Sequence, residues 1–485
     1  MLLLGVVLLA ALGLRLFHLQ QRVLWFDEAN SLLIAKATPG RIIDAVLDDT
    51  HSPFYYLVLH YWQHVAGGEL GARLLSVFAG VATVAVVYWL GCALAGRGAG
   101  LLGAALLCVC PLHVWYSQEI RMYALQTLLV GLSSLFMVLA LRRERAVFWA
   151  GYSIFTALSL YAQYVSLFVV IGQNIFVAIY HWKDRRQLRH WLLAQCAVAL
   201  LFAPWVPGFV TQTRIALGSS WSPPLELRQI LGFLSLFSGA YLGDSRPRSL
   251  SVLVTVVVLI VAALVLWRHR ESRQMTLLLL LWFAVPIALL ALQSLNQNRF
   301  LPRVLVCTTP ALALLVGCAA VQPARAVARA QVSFVVAALL VANLYALRNY
   351  YFSDNGWVKS DLRVATDKLA REFRSGDIIV HSSEFSYRPF EYYLGDGVAQ
   401  GVSTAPVYLT HLFRVTGDGR LPQSTSGFKR IWLVLYPDFA HPGVPEKTRD
   451  WMDNHHHFLQ PLHNSSTVFV GLYERLDRQL TPAGE

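Results

Sequence analysis

GARLLSVFAGVATVAVVYWLGCALA (71–95), AGLLGAALLCVCPLHVWY (99–116) and RMYALQTLLVGLSSLFMVLAL (121–141) follow one another with only a few residues between them. Runs of about 17–25 mostly apolar residues cross a bilayer as helices. Working outward, the same reading gives eleven spans: 1–19, 71–95, 99–116, 121–141, 146–161, 164–182, 191–209, 249–267, 275–295, 301–320 and 331–347. The first run lacks a basic n-region and a small-residue cleavage site, so it reads as a transmembrane helix and not as a signal peptide.

Composition agrees. Of the 485 residues 56% are hydrophobic and 14% charged, with mean hydropathy +0.49, whereas soluble domains are about one-quarter charged. A single water-soluble globule is excluded, and modest Gly, Pro and Cys contents exclude collagen-like, disordered and disulfide-stapled chains. Cys92, Cys108, Cys110, Cys196, Cys307 and Cys318 all fall in apolar runs and read as small core hydrophobes. No C-x-x-C pair points to zinc or redox chemistry.

Charge divides unevenly. Residues 348–485 carry 15 Lys and Arg against 16 Asp and Glu, which leaves 25 against 12 in residues 1–347. The basic excess forms no continuous face of the kind nucleic acid needs. It sits in alternate short loops: Arg97, the cluster Arg142-Arg143-Glu144-Arg145, the segment Lys183-Asp184-Arg185-Arg186, the run Arg268-His269-Arg270, and Arg325 with Arg329. The positive-inside rule places all of these in the cytoplasm, with the N-terminus. Segments 20–70, 117–120, 210–248, 296–300 and everything after 347 then face the other side. Within them, 41–49, 52–66 and 228–242 mix aromatic and polar residues at helical spacing, as interfacial helices do.

Past residue 350 the pattern turns soluble. A helix over 361–374 ends at Gly376; IIVHS (378–382), RIWLVLY (430–436) and TVFVGLY (467–473) read as strands, with a helical stretch at 446–455. The fold class expected is mostly α and polytopic, with a C-terminal soluble α/β domain. The domains are 1–347, whose first outer loop 20–70 carries an acidic motif, and 348–485, extracytoplasmic.

Four short segments carry chemistry. Asp27-Glu28, just beyond the first helix, are costly beside a membrane unless solvated, paired or functional. A solvated loop accounts for them; so does a general base for a hydroxyl. Arg121, in YSQEIRMY (116–123), is an outward cation that the positive-inside rule does not require. Snorkelling or a pair with Glu119 explains it, and so does an oxyanion clamp, because guanidinium binds oxyanions in bidentate fashion. Asn298-Arg299-Phe300 holds a second outward arginine, and His51 opens HSPFYY (51–56). Together they make a place for an anionic lipid head group. By contrast, the G-x-G-x-x-G of 98–103 follows a helix instead of a strand and fails as a dinucleotide site. His60 and His64 have metal-ligand spacing, but aromatic interface packing accounts for it.

On these residues the membrane part resembles the GT-C membrane glycosyltransferases, and within them the bacterial family-39-like branch of protein O-mannosyltransferases and the lipid A aminoarabinose transferase. The carriers are Asp27-Glu28-Ala29, HSPFYYLVLHYW (51–62), ARLLSVFAG (72–80), YSQEIRMYAL (116–125) and NRFLPRVLVCTTPALALL (298–315). The resemblance implies a polyprenyl-phosphate-linked sugar donor and an acceptor lipid, glycan or protein. It implies Asp27 as catalytic base with Glu28 beside it, Arg121, Arg299 and His51 at the donor phosphate, and Tyr55, Gln118, Tyr123 and Tyr161 lining the pocket. Two positions depart from the pattern. Tyr161-Ala162-Gln163-Tyr164 stands for Tyr-Thr-His-Tyr, and Thr50-His51 for the Glu-Lys of the aminoarabinose branch. No cofactor is therefore assigned, and a divalent metal ion stays open.

The layout fits the same chemistry. Nucleotide sugars are cytoplasmic, so an outward-facing transferase needs a donor already carried across on lipid. The alternatives are an O-antigen ligase or polymerase, and a lipid-linked sugar transporter or flippase. A transporter is expected to show mid-membrane charges and internal repeats.

Overall fold

The computed structural model describes residues 1–218, 224–237, 248–297, 300–322, 326–352, 361–374, 376–398, 428–437, 443–465 and 467–475. The chain divides into two units: Met1–Leu19 with Ile34–Ser353, and Gln20–Leu33 with Asp354–Glu485.

In the first unit, eight helices among the described residues are long and apolar enough to cross a membrane: Leu2–Gln21, Gly68–Ala95, Tyr123–Arg143, Arg185–Leu217, Ser249–Arg268, Arg270–Asn296, Pro302–Ala320 and Val332–Phe352. Three shorter apolar helices, Arg97–Cys108, Ala146–Ala162 and Ser166–Tyr180, lie on the third, fifth and sixth runs. Each of the eleven apolar runs is thus helical. The protein is a multi-pass helical membrane protein. The stretches expected as interfacial helices are helical too, over Pro39–Leu47, Phe54–Val65 and Leu227–Ser235; residues 238–242 lie outside the described part.

Between apolar helices, close approach and polar contacts drive association, because lipid is as apolar as Leu. Buried polar side chains join the middle helices. Ser133 and Thr156 hydroxyls meet at 2.7 Å, Gln173 Nε2 donates to Ser134 at 3.3 Å, and Tyr152 donates to Gln173 at 3.1 Å. Glycines do the rest. A Cβ on Gly91 would stand 2.5 Å from Gly100 Cα, and one on Gly317 would stand 2.7 Å from the Gly103 nitrogen. The small residues of 98–103 are therefore a packing surface. A Cβ on Gly100 would meet the Tyr88 carbonyl at 2.4 Å; that atom is backbone and cannot rotate away. We expect Gly100→Leu to cost about 3 kcal/mol or more, read as a lowered thermal midpoint in detergent. Gly5→Leu, with nothing within 4 Å, should leave the midpoint unchanged.

The second unit holds a four-stranded sheet: β1 (Ile378–His381), β2 (Arg430–Leu435), β3 (His456–Asn464) and β4 (Phe469–Arg475), in the order β1-β2-β4-β3. β1 and β2 are parallel, and the other pairs antiparallel. Helices Leu362–Glu372, Glu384–Val398 and Val444–His455 accompany it. One core packs Leu362, Leu369, Phe390 and Leu394 against Trp432, Val434 and Val470. β3 and the helix Glu384–Val398 are additions to the sequence reading. β3 is an edge strand, polar, bulged twice and interrupted by Pro461, and Pro389 sits inside the helix; neither shows a clean periodicity.

His381, at the end of β1, is buried, and burial pushes its pKa down to about 3. Ser386 Oγ donates to the Ser383 carbonyl at 3.0 Å, so His381 Nδ1 donates to that oxygen at 2.9 Å. A proton on Nε2 would therefore be an unmatched charge in the core. An unfolded His titrates near 6.5, so between about pH 6.5 and 3 only the unfolded chain takes the proton. Stability is whole above that window and falls as pH drops through it. At pH 5 the loss is about 2 kcal/mol. Thermal melts at pH 7 and pH 5 should show this loss in the wild type, reduced by that amount in His381→Gln.

Candidate functional site

Helix Pro111–Tyr116 stops after six residues, and 117–122 form a non-helical turn before Tyr123–Arg143 begins. Backbone that leaves the helix inside a membrane protein must find partners in side chains. Here they come from several helices. Arg73 Nη1 donates to the Gln118 carbonyl at 2.9 Å, and Ser76 Oγ donates to the Glu119 carbonyl at 2.6 Å. Gln118 Nε2 donates to the carbonyls of Arg15 and Phe17, at 2.9 Å each, and the Tyr350 hydroxyl donates to Gln118 Oε1 at 2.6 Å. Below the turn, Arg15 donates to the Ala11 and Cys108 carbonyls and meets His113 Nδ1 at 2.7 Å. Trp115 Nε1 donates to Glu119 Oε1 at 2.5 Å. The turn is rigid by construction.

Arg121 is the residue this scaffold presents, and it is 1% exposed. Nη2 donates to His51 Nε2 at 2.8 Å, which requires the ring's lone pair there, and Nη1 donates to the Tyr56 hydroxyl at 3.5 Å. The guanidinium carbon lies 5.9 Å from the centre of the Tyr123 ring. His51 is held in turn, because Gln212 Nε2 donates to its carbonyl at 2.8 Å. Tyr55 and Tyr56 are fully buried with rings edge to face, 5.7 Å apart. A buried cation whose partners here include a histidine and a phenol can form stronger, charge-assisted bonds with an anion.

Of the residues expected at the site, Arg121, His51, Tyr55 and Tyr123 come together in this unit. Gln118 supports the turn with its whole amide. Tyr161 stands at the end of Ala146–Ala162: its hydroxyl donates to the Leu201 carbonyl at 3.2 Å and its carbonyl accepts from Ser52 Oγ. Asp27 and Glu28 belong to the second unit, in the first turn of helix Phe26–Ala35. A carboxylate there sits favourably with the helix dipole. Glu28 is buried, and Ser31 Oγ donates to the Asp27 carbonyl at 2.8 Å. Arg299 lies outside the described residues. Among the described residues, no three His, Cys, Asp or Glu side chains group so as to hold a metal ion. His60 Nδ1 meets the Ala35 carbonyl, and His64 Nδ1 the His60 carbonyl.

Sequence reading passed over Arg15, Arg73, Ser76, His113 and Tyr350. Arg15 had a usable signal: a charge inside an apolar run is expensive and needs a buried partner.

Residues 50–207 match the family described as dolichyl-phosphate-mannose-protein mannosyltransferase. The solved structure of ArnT from Cupriavidus metallidurans in the apo state is 13% identical. The match covers 96% of this chain and 97% of that one, with a TM-score of 0.61. The chain has a GT-C fold. ArnT bound to undecaprenyl phosphate matches this GT-C chain over the same shares at 13% identity and TM-score 0.59. Archaeal oligosaccharyltransferase AglB from Archaeoglobus fulgidus, in complex with an inhibitory peptide and a dolichol-phosphate, matches at 11% identity and TM-score 0.57. That match covers 99% of this chain and 74% of that one. No curated protein matches by sequence comparison. The family match within this GT-C chain takes in His51, Tyr55, Gln118, Arg121, Tyr123 and Tyr161, and leaves out Asp27, Glu28 and Arg299.

Proposed function

We propose that this GT-C protein transfers a sugar from a polyprenyl-phosphate-linked donor to an acceptor hydroxyl on the extracytoplasmic face of the bacterial plasma membrane. The observation that carries this reading is Arg121: a buried guanidinium bonded to His51 and Tyr56, inside the segment that matches a lipid-phosphate-sugar transferase family. Donor binding exchanges these partners for phosphate oxygens. As the bond from the sugar's anomeric carbon to phosphate oxygen breaks, the electron pair stays on the leaving polyprenyl phosphate, and Arg121 with Arg299 stabilises the growing charge. The acceptor oxygen forms the new bond and gives its proton to Asp27, with Glu28 as the alternative base. One base and no nucleophilic partner describe a single displacement with inversion. Divalent metal is left open; chelation during the assay tests it.

The experiment is sugar transfer from radiolabelled polyprenyl-phosphate sugar by purified protein in lipid. Label passing from donor to an acceptor supports the reading. Label moved only between leaflets makes the protein a flippase, and transfer only of oligosaccharide from a diphosphate carrier makes it a ligase or polymerase.

The C-terminal residues 348–485 are proposed as an extracytoplasmic domain, N-terminus inside. A C-terminal alkaline phosphatase fusion should be active and a green fluorescent fusion dark; the reverse pattern removes the outward orientation on which Asp27 and Arg121 depend.

A further inference from the structure

The acidic motif is not a free loop. Within the second unit, three residues just before Asp27 are gripped by the α/β fold. Val23 packs against the core of Leu369, Phe390 and Trp432. Leu24 is buried, and its backbone N–H donates to the Tyr393 hydroxyl at 3.1 Å. Phe26 meets Phe385 edge to face, with ring centres 5.9 Å apart. Tyr393 and Phe385 stand on one helix, Glu384–Val398, whose Phe390 and Leu394 are seated in the same core. The Arg363 guanidinium lies 5.0 Å from the centre of the Tyr393 ring. Residues 22–25 are not helical and Phe26 begins the helix that carries Asp27, so a grip on 23, 24 and 26 sets where that helix starts and which way its first turn faces.

We propose that Tyr393 and Phe385 are positioning residues for sugar transfer: they clamp residues 23–26 and thereby fix the Asp27 carboxylate. The second unit then contributes to catalysis by holding the base. The proposal rests on the assignment of Asp27 as base. A base misplaced by about 1 Å can lose up to 10²-fold in rate, and a loosened clamp misplaces it for part of the time.

The test uses the full-length protein in lipid. Tyr393→Phe removes one oxygen and keeps the ring under Arg363; Phe385→Leu removes the aromatic edge and keeps apolar bulk. Each should lower kcat about tenfold, with donor KM and thermal midpoint near wild type. Phe385→Tyr, which keeps the ring, should restore kcat. Unchanged kcat in both variants, with Asp27→Asn inactive, overturns the clamp and leaves the base assignment standing. A fall in thermal midpoint with unchanged kcat of the folded fraction makes the two residues structural and also overturns it. Wild-type turnover in Asp27→Asn removes the base assignment, and the clamp with it.

Discussion

Asp27→Asn is expected to abolish turnover while folding and donor binding stay intact. The substitution keeps the shape of the side chain and one oxygen that accepts a hydrogen bond, and removes the carboxylate's charge and its capacity to take a proton. A positioned general base contributes about 10²–10⁴-fold, so kcat should fall by at least that range. Donor affinity should hold, because phosphate binding is assigned to Arg121, Arg299 and His51. The measurement is kcat, donor dissociation constant and thermal midpoint on one preparation. Near-wild-type kcat would pass the role to Glu28, which shares the first turn of Phe26–Ala35, and Glu28→Gln would be the next variant.

Arg121→Ala should fail differently. It removes a charge complementary to a phosphate that is anionic before and during reaction, so affinity and rate should fall together. Charge-assisted hydrogen bonds contribute about 1.5–3 kcal/mol, which is roughly 10–150-fold in donor affinity at 1.4 kcal/mol per decade. Extra charge on the leaving phosphate adds a further loss in kcat. Arg121→Lys should lie between, since it keeps the charge and loses the planar fork. Arg299→Ala should act in the same direction as Arg121→Ala. Donor affinity unchanged in Arg121→Ala, at normal thermal stability, would show that phosphate binds elsewhere.

Sequence made the eleven helices legible because apolarity over a membrane's thickness is a local signal. Arg121 was legible for a related reason: on the side that the positive-inside reading makes outer, an arginine has no topological purpose. The scaffold beneath it was not legible. Arg73 to Gln118, Ser76 to Glu119 and Tyr350 to Gln118 are contacts between distant residues, and nothing in their neighbourhoods announces the partner. The grouping of the acidic motif with the C-terminal unit was hidden in the same way. Leu24 and Tyr393 are 369 positions apart, and Val23 reads as any apolar residue flanking a membrane helix. β3 escaped because an exposed edge strand buries little and keeps no alternation.

The hydrogen bond from Tyr350 to Gln118 joins residues 232 positions apart, and it has a meaning in time as well as in space. The chain is made from its N-terminus at about 5–20 residues per second, so Gln118 is polymerised roughly 10–50 s before Tyr350 exists. During that interval the turn that presents Arg121 is already in the membrane with this bond unmade. The ribosome thus delivers most of the helices before the turn that carries Arg121 can gain its bond to Tyr350. A nascent or truncated chain ending before residue 350 should insert and yet lack this bond, so the turn at 117–122 is finished only when the helix carrying Tyr350 has docked.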